Sequence, residues 1–445
     1  MQKVLIVGAG KSSPWLIRYM LHASLSKRTP WQITIADSSE AALRSKVVGF
    51  PNARIAVLDI QNEAQRQALV KDADLVLSLM PPSLHILLAE DCLHFRKHLI
   101  TSSYVSPEMK ELDAAAKKAG LMFMCEMGLD PGLDHMSAHK IIHGIQRIIG
   151  DITSFSSYCG GLVAPESDNN PWHYKISWNP RNVVNAGKAG ASFLLDGSNK
   201  ELGYKELFQK NKFIAVDKLG RFAWYPNRDS LQYLQSYGLP HAKTFIRATL
   251  RHPDFCAAWA ALVNIGATDD ASAPLETAKT YADWMAGLTR YSDTTKSLKE
   301  HVGEVANAKP REKIERMMEW LELFSDRLLP ESRGSNADVL LALLQEKWAM
   351  EEADKDMVVM QHEIEYLHRG SAMRLVSSMS AIGESAEYTA MAKTVGLPIA
   401  ILAKLLLTGV LKPIPGVHIP DMPSVYRPVL NELKHYNIVF EEHNV

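Results

Sequence analysis

Cysteine is scarce in this chain: four residues in 445, at positions 92, 125, 159 and 256, with no Cys-x-x-Cys pair. That argues against a disulfide framework and against a thiolate zinc site, so no metal is expected and a reducing, cytoplasmic setting is. A basic excess is missing too. Forty-nine Lys and Arg against 50 Asp and Glu leave a formal charge of -1, and no basic run is interleaved with aromatics. Nucleic acid is therefore not an expected partner. The longest apolar stretch, Leu397 to Leu407, contains Lys404 and is too short to span a bilayer, so no membrane partner is expected either. The chain opens directly on Lys3-Val4-Leu5-Ile6-Val7, without the basic n-region and apolar h-region of a secretory leader.

What is present is enough apolar material, 47% of residues, for two or three cored domains. The first 130 residues alternate short apolar runs with helical periodicity. Strands are read at Val4–Val7, Gln32–Ala36, Ile55–Leu58, Asp74–Met80, His98–Thr101 and Met122–Glu126. Helices are read at Pro14–Ala23, Gln61–Val70 and Pro107–Ala119. Such alternation predicts an α/β fold with a Rossmann-type, doubly wound parallel sheet. After Pro131 the pattern changes. Strand-like segments at Thr153–Tyr158, Phe222–Tyr225 and Met357–Glu365 lie around a strand-poor helical stretch, and Tyr388–Leu407 reads as one long apolar helix. The expected organisation is a dinucleotide domain over 1–130 completed by about 388–445. A second α/β domain with a mixed sheet is expected over 131–265 and 345–387, with a helical insertion at 266–344.

Gly8-Ala9-Gly10-Lys11-Ser12-Ser13-Pro14 joins the first strand to the first helix. Gly8 and Gly10 fill the first two places of the dinucleotide fingerprint, and Ser13 stands in the third. Free N–H groups at a helix start bind phosphate, which makes Gly8, Gly10, Lys11, Ser12 and Ser13 cofactor candidates. Asp37 ends the second strand, where a carboxylate accepts from both ribose hydroxyls and repels a 2′-phosphate. It therefore favours NAD over NADP, although it equally suits a cap for the helix starting near Ser39. Ligands of open parallel sheets bind beyond the strands' carboxyl ends, which adds Asp59 and the Met80-Pro81-Pro82 turn on the cofactor side. The same rule brings in Ser103 and Tyr104 as compact hydroxyl donors, and the turn from Gly128 to His135.

Six stretches carry a resemblance to a known family: Thr101-Ser102-Ser103-Tyr104-Val105-Ser106-Pro107; Gly128 to His135; Ser157 to Leu162 with Ala164-Pro165-Glu166; Tyr225-Pro226-Asn227-Arg228-Asp229-Ser230; Arg247-Ala248-Thr249-Leu250-Arg251; and Ala390 to Gly396. The chain resembles the glutamate-forming saccharopine dehydrogenases, or saccharopine reductases, of lysine metabolism. The resemblance implies an oxidoreductase that oxidises saccharopine at its secondary amine, with imine hydrolysis giving glutamate and aminoadipate semialdehyde. It implies a homodimer as well. By motif match, Ser103, Tyr104, Asp130, Arg228, Thr249 and Arg251 fall on the substrate side, with Asp130 and Tyr104 the catalytic candidates. Gly128, Leu129 and Pro131 approach the cofactor, and Trp178 could cover the nicotinamide. Fungal members that use NADP carry Arg where Asp37 stands, which again favours NAD. Arginine forks suit a tricarboxylate substrate, because paired N–H donors match a carboxylate. The general base is left open among Asp130, Tyr104, His135 and a bound water. Two other readings are a dehydrogenase of a carboxylated polyamine imine and a non-catalytic dinucleotide binder.

Overall fold

The computed structural model describes every residue except 27–29, 51–52, 210–211, 275, 293–294 and 332–333. Part of the expected connection from Leu25 to Trp31 thus lies outside the described residues. The chain forms two compact units, Met1–Asp151 with Met379–Glu441, and Ile152–Ser378 with Glu442–Val445.

The first unit runs β1 (Lys3–Val7), α1 (Pro14–Ser24), β2 (Gln32–Asp37), α2 (Glu40–Lys46), β3 (Arg54–Val57), α3 (Glu63–Asp72), β4 (Leu75–Ser78), α4 (His85–Phe95), β5 (His98–Thr101), α5 (Pro107–Glu111), α6 (Asp113–Ala119), β6 (Met122–Met124) and α7 (Leu133–Arg147). The second contributes β7 (Asp151–Val163), α8 (Pro180–Val184), β8 (Ala191–Leu195), β9 (Ser198–Leu202), α9 (Tyr204–Leu207), β10 (Lys212–Val216), β11 (Gly220–Pro226), β12 (Arg228–Asp229) and β13 (Thr244–Arg251). Then come α10 (Pro253–Asn264), α11 (Tyr281–Thr289), α12 (Leu298–Val305), α13 (Arg311–Trp320), α14 (Asn336–Lys347), β14 (Asp356–His368) and β15 (Ser371–Ile382). The chain closes with α15 (Ala390–Leu407), β16 (Gly416–His418), α16 (Pro423–Leu433) and β17 (Glu441–Asn444).

In the first unit seven parallel strands lie in the order β16-β6-β5-β4-β1-β2-β3. The near-continuous apolar runs of β1 and β4 follow from burial on both faces. The order reverses at β1, which pairs β2 on one side and β4 on the other, and that switch point opens a crevice at the strands' carboxyl ends. Three of the helices between, α2, α3 and α5, start on side-chain caps. Ser39 accepts from the Ala42 amide, Asn62 from Gln65 and Ser106 from Met109, each satisfying an orphan N–H. Where one helix is expected over 107–119, the chain breaks at Leu112 into α5 and α6. The apolar run beginning at Leu397 belongs to an 18-residue helix, α15, which is long and apolar enough to cross a membrane. The expectation of too short a segment is corrected accordingly. However, 78% of that window is buried inside the protein, as a core helix requires.

The second unit is built on a ten-stranded mixed sheet, with β10-β11-β13-β7-β14-β15-β17 in line and β8, β9 and β12 to one side. β13 runs parallel to β7 and antiparallel to β11. Its helical layer closes over Trp172, Trp259, Trp284 and Trp348, all essentially inaccessible. Two of these indoles are polar-satisfied, Trp172 by the Met317 carbonyl at 2.8 Å and Trp284 by Asn336 Oδ1 at 2.8 Å.

Candidate functional site

Gly8 adopts φ +105°, and a Cβ there would meet the Leu79 backbone at 3.1 Å. Only glycine keeps the turn this close to the end of β4. A Cβ on Gly10, which is exposed, would meet nothing within 4 Å, so its backbone is open to a ligand. Lys11 is exposed and Ser12 half-buried just before α1, whereas Ser13 is fully buried. The Ser13 hydroxyl donates to the Gly10 carbonyl at 2.8 Å, so it closes the loop from within. A cradle that excludes Cβ, leading into an 11-residue helix with Pro14 at its start, fits a dinucleotide pyrophosphate.

Asp37 does something that its sequence position does not reveal. Its Oδ2 accepts from the Ala9 amide at 2.7 Å and its Oδ1 from the Ser39 amide at 2.9 Å. The carboxylate thus braces the phosphate loop against the start of α2. Asp59 is exposed, and its Oδ1 accepts from the Gln61 amide at 3.0 Å. Met80 is half-buried against the core, and Pro81 is exposed.

Beyond β5 and β6 the hydrogen bonding is continuous. The Ser78 hydroxyl meets His85 Nδ1 at 2.8 Å, and His85 Nε2 meets the Ser103 hydroxyl at 2.8 Å. Tyr104 donates to Asp130 Oδ1 at 3.2 Å, which brings the two catalytic candidates together. Glu126, buried and at φ +54°, accepts from the Val105 amide at 3.0 Å through Oε1 and pairs with His135 Nε2 at 2.7 Å through Oε2. One side chain therefore ties the Ser103–Tyr104 loop to the Gly128–His135 turn. That turn is tight: Gly128 N donates to the Pro131 carbonyl at 3.0 Å, and a Cβ on Gly132 would lie 2.3 Å from the Gly128 oxygen. Leu129 and Pro131 are buried in it and shape it. His135 has no solvent exposure and is held by Glu126, so it is poorly placed as a general base. His85 and Glu126 were not singled out in the sequence, and no local motif marks either.

Burial lowers the His85 pKa from its ordinary 6.5 to about 4, and burial followed by its His135 and His143 neighbours lowers His139 to about 3. Both imidazoles are neutral at pH 7. The sign follows from linkage: unfolded histidine binds a proton near pH 6.5 and these folded ones do not. Their contribution is complete above pH 6.5 and is lost as pH falls toward 4, by about 3 kcal/mol for His85 alone. Urea midpoints measured over that range should fall with acidification, and His85→Gln should flatten the slope. An equal slope in the variant would remove His85 as the cause.

In the second unit β13 carries Thr249, half-buried opposite Tyr225 on one side and Cys159 on the other, with the Tyr225 hydroxyl bonded to Thr249. Arg251 is 4% exposed. Its Nη1 donates to the Leu250 carbonyl at 2.9 Å, and its Nε has no hydrogen-bond partner. The guanidinium lies 5.3 Å from the centroid of Tyr174 and 5.6 Å from that of Phe255. No carboxylate among the described residues pairs with it. Arg228 is exposed at φ +53° on β12. It lies beside the Arg247 end of β13, since Asn227 N donates to the Arg247 carbonyl at 2.8 Å. Arg247 and Arg251 are four residues apart along β13, roughly 13 Å at about 3.3 Å per strand residue. Trp178 is half-buried, its indole N–H donating to the Tyr174 hydroxyl at 3.2 Å.

Residues 4–124 match the family model of the saccharopine dehydrogenase NADP binding domain, and residues 128–439 that of the saccharopine dehydrogenase C-terminal domain. The chain is 34% identical over 457 residues to the Saccharomyces cerevisiae protein named saccharopine dehydrogenase [NADP(+), L-glutamate-forming], covering 100% of this chain and 99% of that one. It is 33% identical over 451 residues to the Schizosaccharomyces pombe protein of the same name, covering 99% of each. The solved structure of the apo S. cerevisiae enzyme matches with TM-score 0.88 at 32% identity over 100% of both chains. The matching domain and both relatives carry NADP in their names, which overturns the expectation of NAD. The physical reason lies in Asp37: its carboxylate accepts from two backbone amides, so it has a place in bracing the loop that does not depend on which ribose binds.

Proposed function

This chain belongs to the saccharopine dehydrogenase family, and from that membership we propose that it interconverts saccharopine with glutamate and 2-aminoadipate 6-semialdehyde, with NADP as the hydride carrier. The observation that carries this reading is the buried Arg251 guanidinium, walled by aromatic rings and with no carboxylate partner among the described residues. An unpaired buried charge is costly to keep, and a substrate carboxylate supplies the missing partner.

When bound, the cofactor accepts a hydride from substrate carbon and delivers it in reverse; the rest falls to the protein. Amides at the start of α1, with Gly8, Gly10, Lys11 and Ser12, hold the diphosphate, and Ser13 and Asp37 keep that loop in shape. The turn from Gly128 to Pro131, Met80-Pro81, Asp59 and Trp178 are proposed to border the cofactor. Arg251 and Arg228 take separate carboxylates, and Thr249 and Ser103 fix orientation through their hydroxyls. As hydride leaves the carbon beside the secondary amine, nitrogen becomes a cationic imine, and the Tyr104–Asp130 pair stabilises that charge. Water adds to the same carbon while this pair accepts its proton. The carbon–nitrogen bond then breaks, releasing the aldehyde and the glutamate amine. Overall, one saccharopine, one water and one oxidised cofactor give glutamate, semialdehyde, reduced cofactor and a proton. A homodimer and a cytoplasmic setting, implied by the family resemblance, belong to the same proposal.

Mixing the protein with saccharopine and NADP should raise absorbance in the reduced-nicotinamide band, and lysine should not replace saccharopine. No rise with saccharopine would overturn the assignment.

A further inference from the structure

We propose that His173, His252 and Asp254 form a binding site for a divalent transition metal such as zinc or cobalt, separate from the residues assigned above to cofactor and substrate. One ligand atom from each lies within 4.8 Å of the others. His173 Nε2 and His252 Nδ1 are each 3.6 Å from the same oxygen, Asp254 Oδ2. Two ligands bound at about 2.0–2.1 Å in tetrahedral geometry lie roughly 3.3–3.4 Å apart, so each nitrogen sits near that spacing from the Asp254 oxygen.

The hydrogen bonding gives both imidazoles the right tautomer. His173 Nδ1 meets Asp168 Oδ2 at 2.7 Å. A carboxylate only accepts, so Nδ1 carries the proton and the Nε2 lone pair faces Asp254. This carboxylate–histidine arrangement is the one that orients metal-bound imidazoles. His252 Nδ1 accepts from the Asp254 amide at 3.2 Å, so that nitrogen is unprotonated, and a metal has to displace this hydrogen bond to take its lone pair. The two ring centroids lie 3.7 Å apart, so one ring has to turn outward for both nitrogens to reach a single ion. His173 is held at φ +51°, a left-handed conformation that costs a non-glycine residue energy. Two imidazoles and a single carboxylate favour zinc, cobalt or nickel over magnesium or calcium, which prefer all-oxygen sites. The remaining tetrahedral position is open to water or to an exogenous ligand.

A second group competes for the position. Lys313 Nζ lies 2.6 Å from Asp254 Oδ2, on a side chain 46% exposed and able to swing into solvent. Lys313 neutralises Asp254 until metal arrives and is displaced by it. Occupancy would fasten the loop carrying Asp168 and His173 to the start of α10, two residues beyond Arg251.

The test is a titration of the tag-free, chelator-treated full chain with cobalt(II). A one-to-one visible absorption of tetrahedral cobalt is expected, abolished in His173→Ala and in His252→Ala, and displaced by zinc but not by magnesium. Asp168→Asn should weaken binding by about 10- to 100-fold, because the ring loses its orienting partner. Lys313→Met should tighten it. No cobalt spectrum, or a spectrum unchanged in His173→Ala, overturns the site. Melting in chelator shows whether each variant folds. Should the histidine variants not fold, equal cobalt affinity in Asp168→Asn, Lys313→Met and the unaltered protein overturns the proposal in the same way. None of these readouts uses turnover, so the outcome is independent of the proposed reaction.

Discussion

Replacing Arg251 by methionine is expected to lower kcat/KM for saccharopine by roughly a thousandfold, while the melting temperature holds or rises. The two halves share one cause. The guanidinium is almost inaccessible, its Nε lacks a partner and its neighbours are the rings of Tyr174 and Phe255. Methionine of similar length fills that space without a charge to desolvate, and such exchanges are often neutral or stabilising. Substrate binding reverses the balance. A carboxylate brought against Arg251 is paired by a planar fork in a dry pocket, and losing one partner of such a pair costs about 2–5 kcal/mol. At about 4 kcal/mol that is the stated thousandfold. Arg251→Lys should recover only part of the loss, because an ammonium cannot offer two parallel donors. Steady-state kinetics and a thermal melt on the same preparation check both halves. A variant within tenfold of the unaltered kcat/KM would sink Arg251 as the anchor.

The sequence was most legible where burial on both faces writes an apolar run. β1, β2 and β5 fall within a residue of expectation, and His98–Thr101 coincides. Strands were missed where the sheet has a wet side. No strand was read over β8 and β9, yet they form a hairpin about Asp196-Gly197, both at positive φ. β15 is equally two-faced, with exposed and buried residues mixed along it. The expected strand over Met122–Glu126 stops at Met124, because Glu126 takes a left-handed conformation that no strand allows.

The candidate site was legible as far as motifs reach along the chain. The Tyr104–Asp130 contact joins two stretches that had each been singled out. His85 and Glu126 escaped because their meaning is relational. His85 matters through Ser78 and Ser103, seven and eighteen residues away, and His173 finds His252 only after folding. Reasoning from cysteine spacing could not see that second pair at all. The preference for NAD drawn from Asp37 failed for a related reason: charge and position were visible, but the Ala9 amide that its carboxylate also accepts from was not.

Glu126 should prove the most consequential of these unmarked residues, and its removal separates architecture from chemistry. Its carboxylate satisfies the Val105 amide and His135 Nε2, and its own amide donates to the Ser103 carbonyl at 3.0 Å. Glu126→Ala takes the acceptor from two donors in a site 2% exposed. Each unmet donor costs about 1–3 kcal/mol, so unfolding free energy should fall by about 4 kcal/mol. The variant must also hold a left-handed backbone without the contacts that enforce it. Activity should drop further than stability requires, since the loop bearing Ser103 and Tyr104 loses its tether, and a shift of about 1 Å costs on the order of a hundredfold. Glu126→Gln keeps an oxygen for Val105 and asks only that His135 change tautomer, so a loss of about 1–2 kcal/mol is expected for it. Denaturant titration ranks the three proteins, and kcat measured well below each transition isolates the loop's contribution. If Glu126→Ala unfolds at the same denaturant concentration as the unaltered chain, the carboxylate holds nothing together, and the two loops are positioned by their own turns.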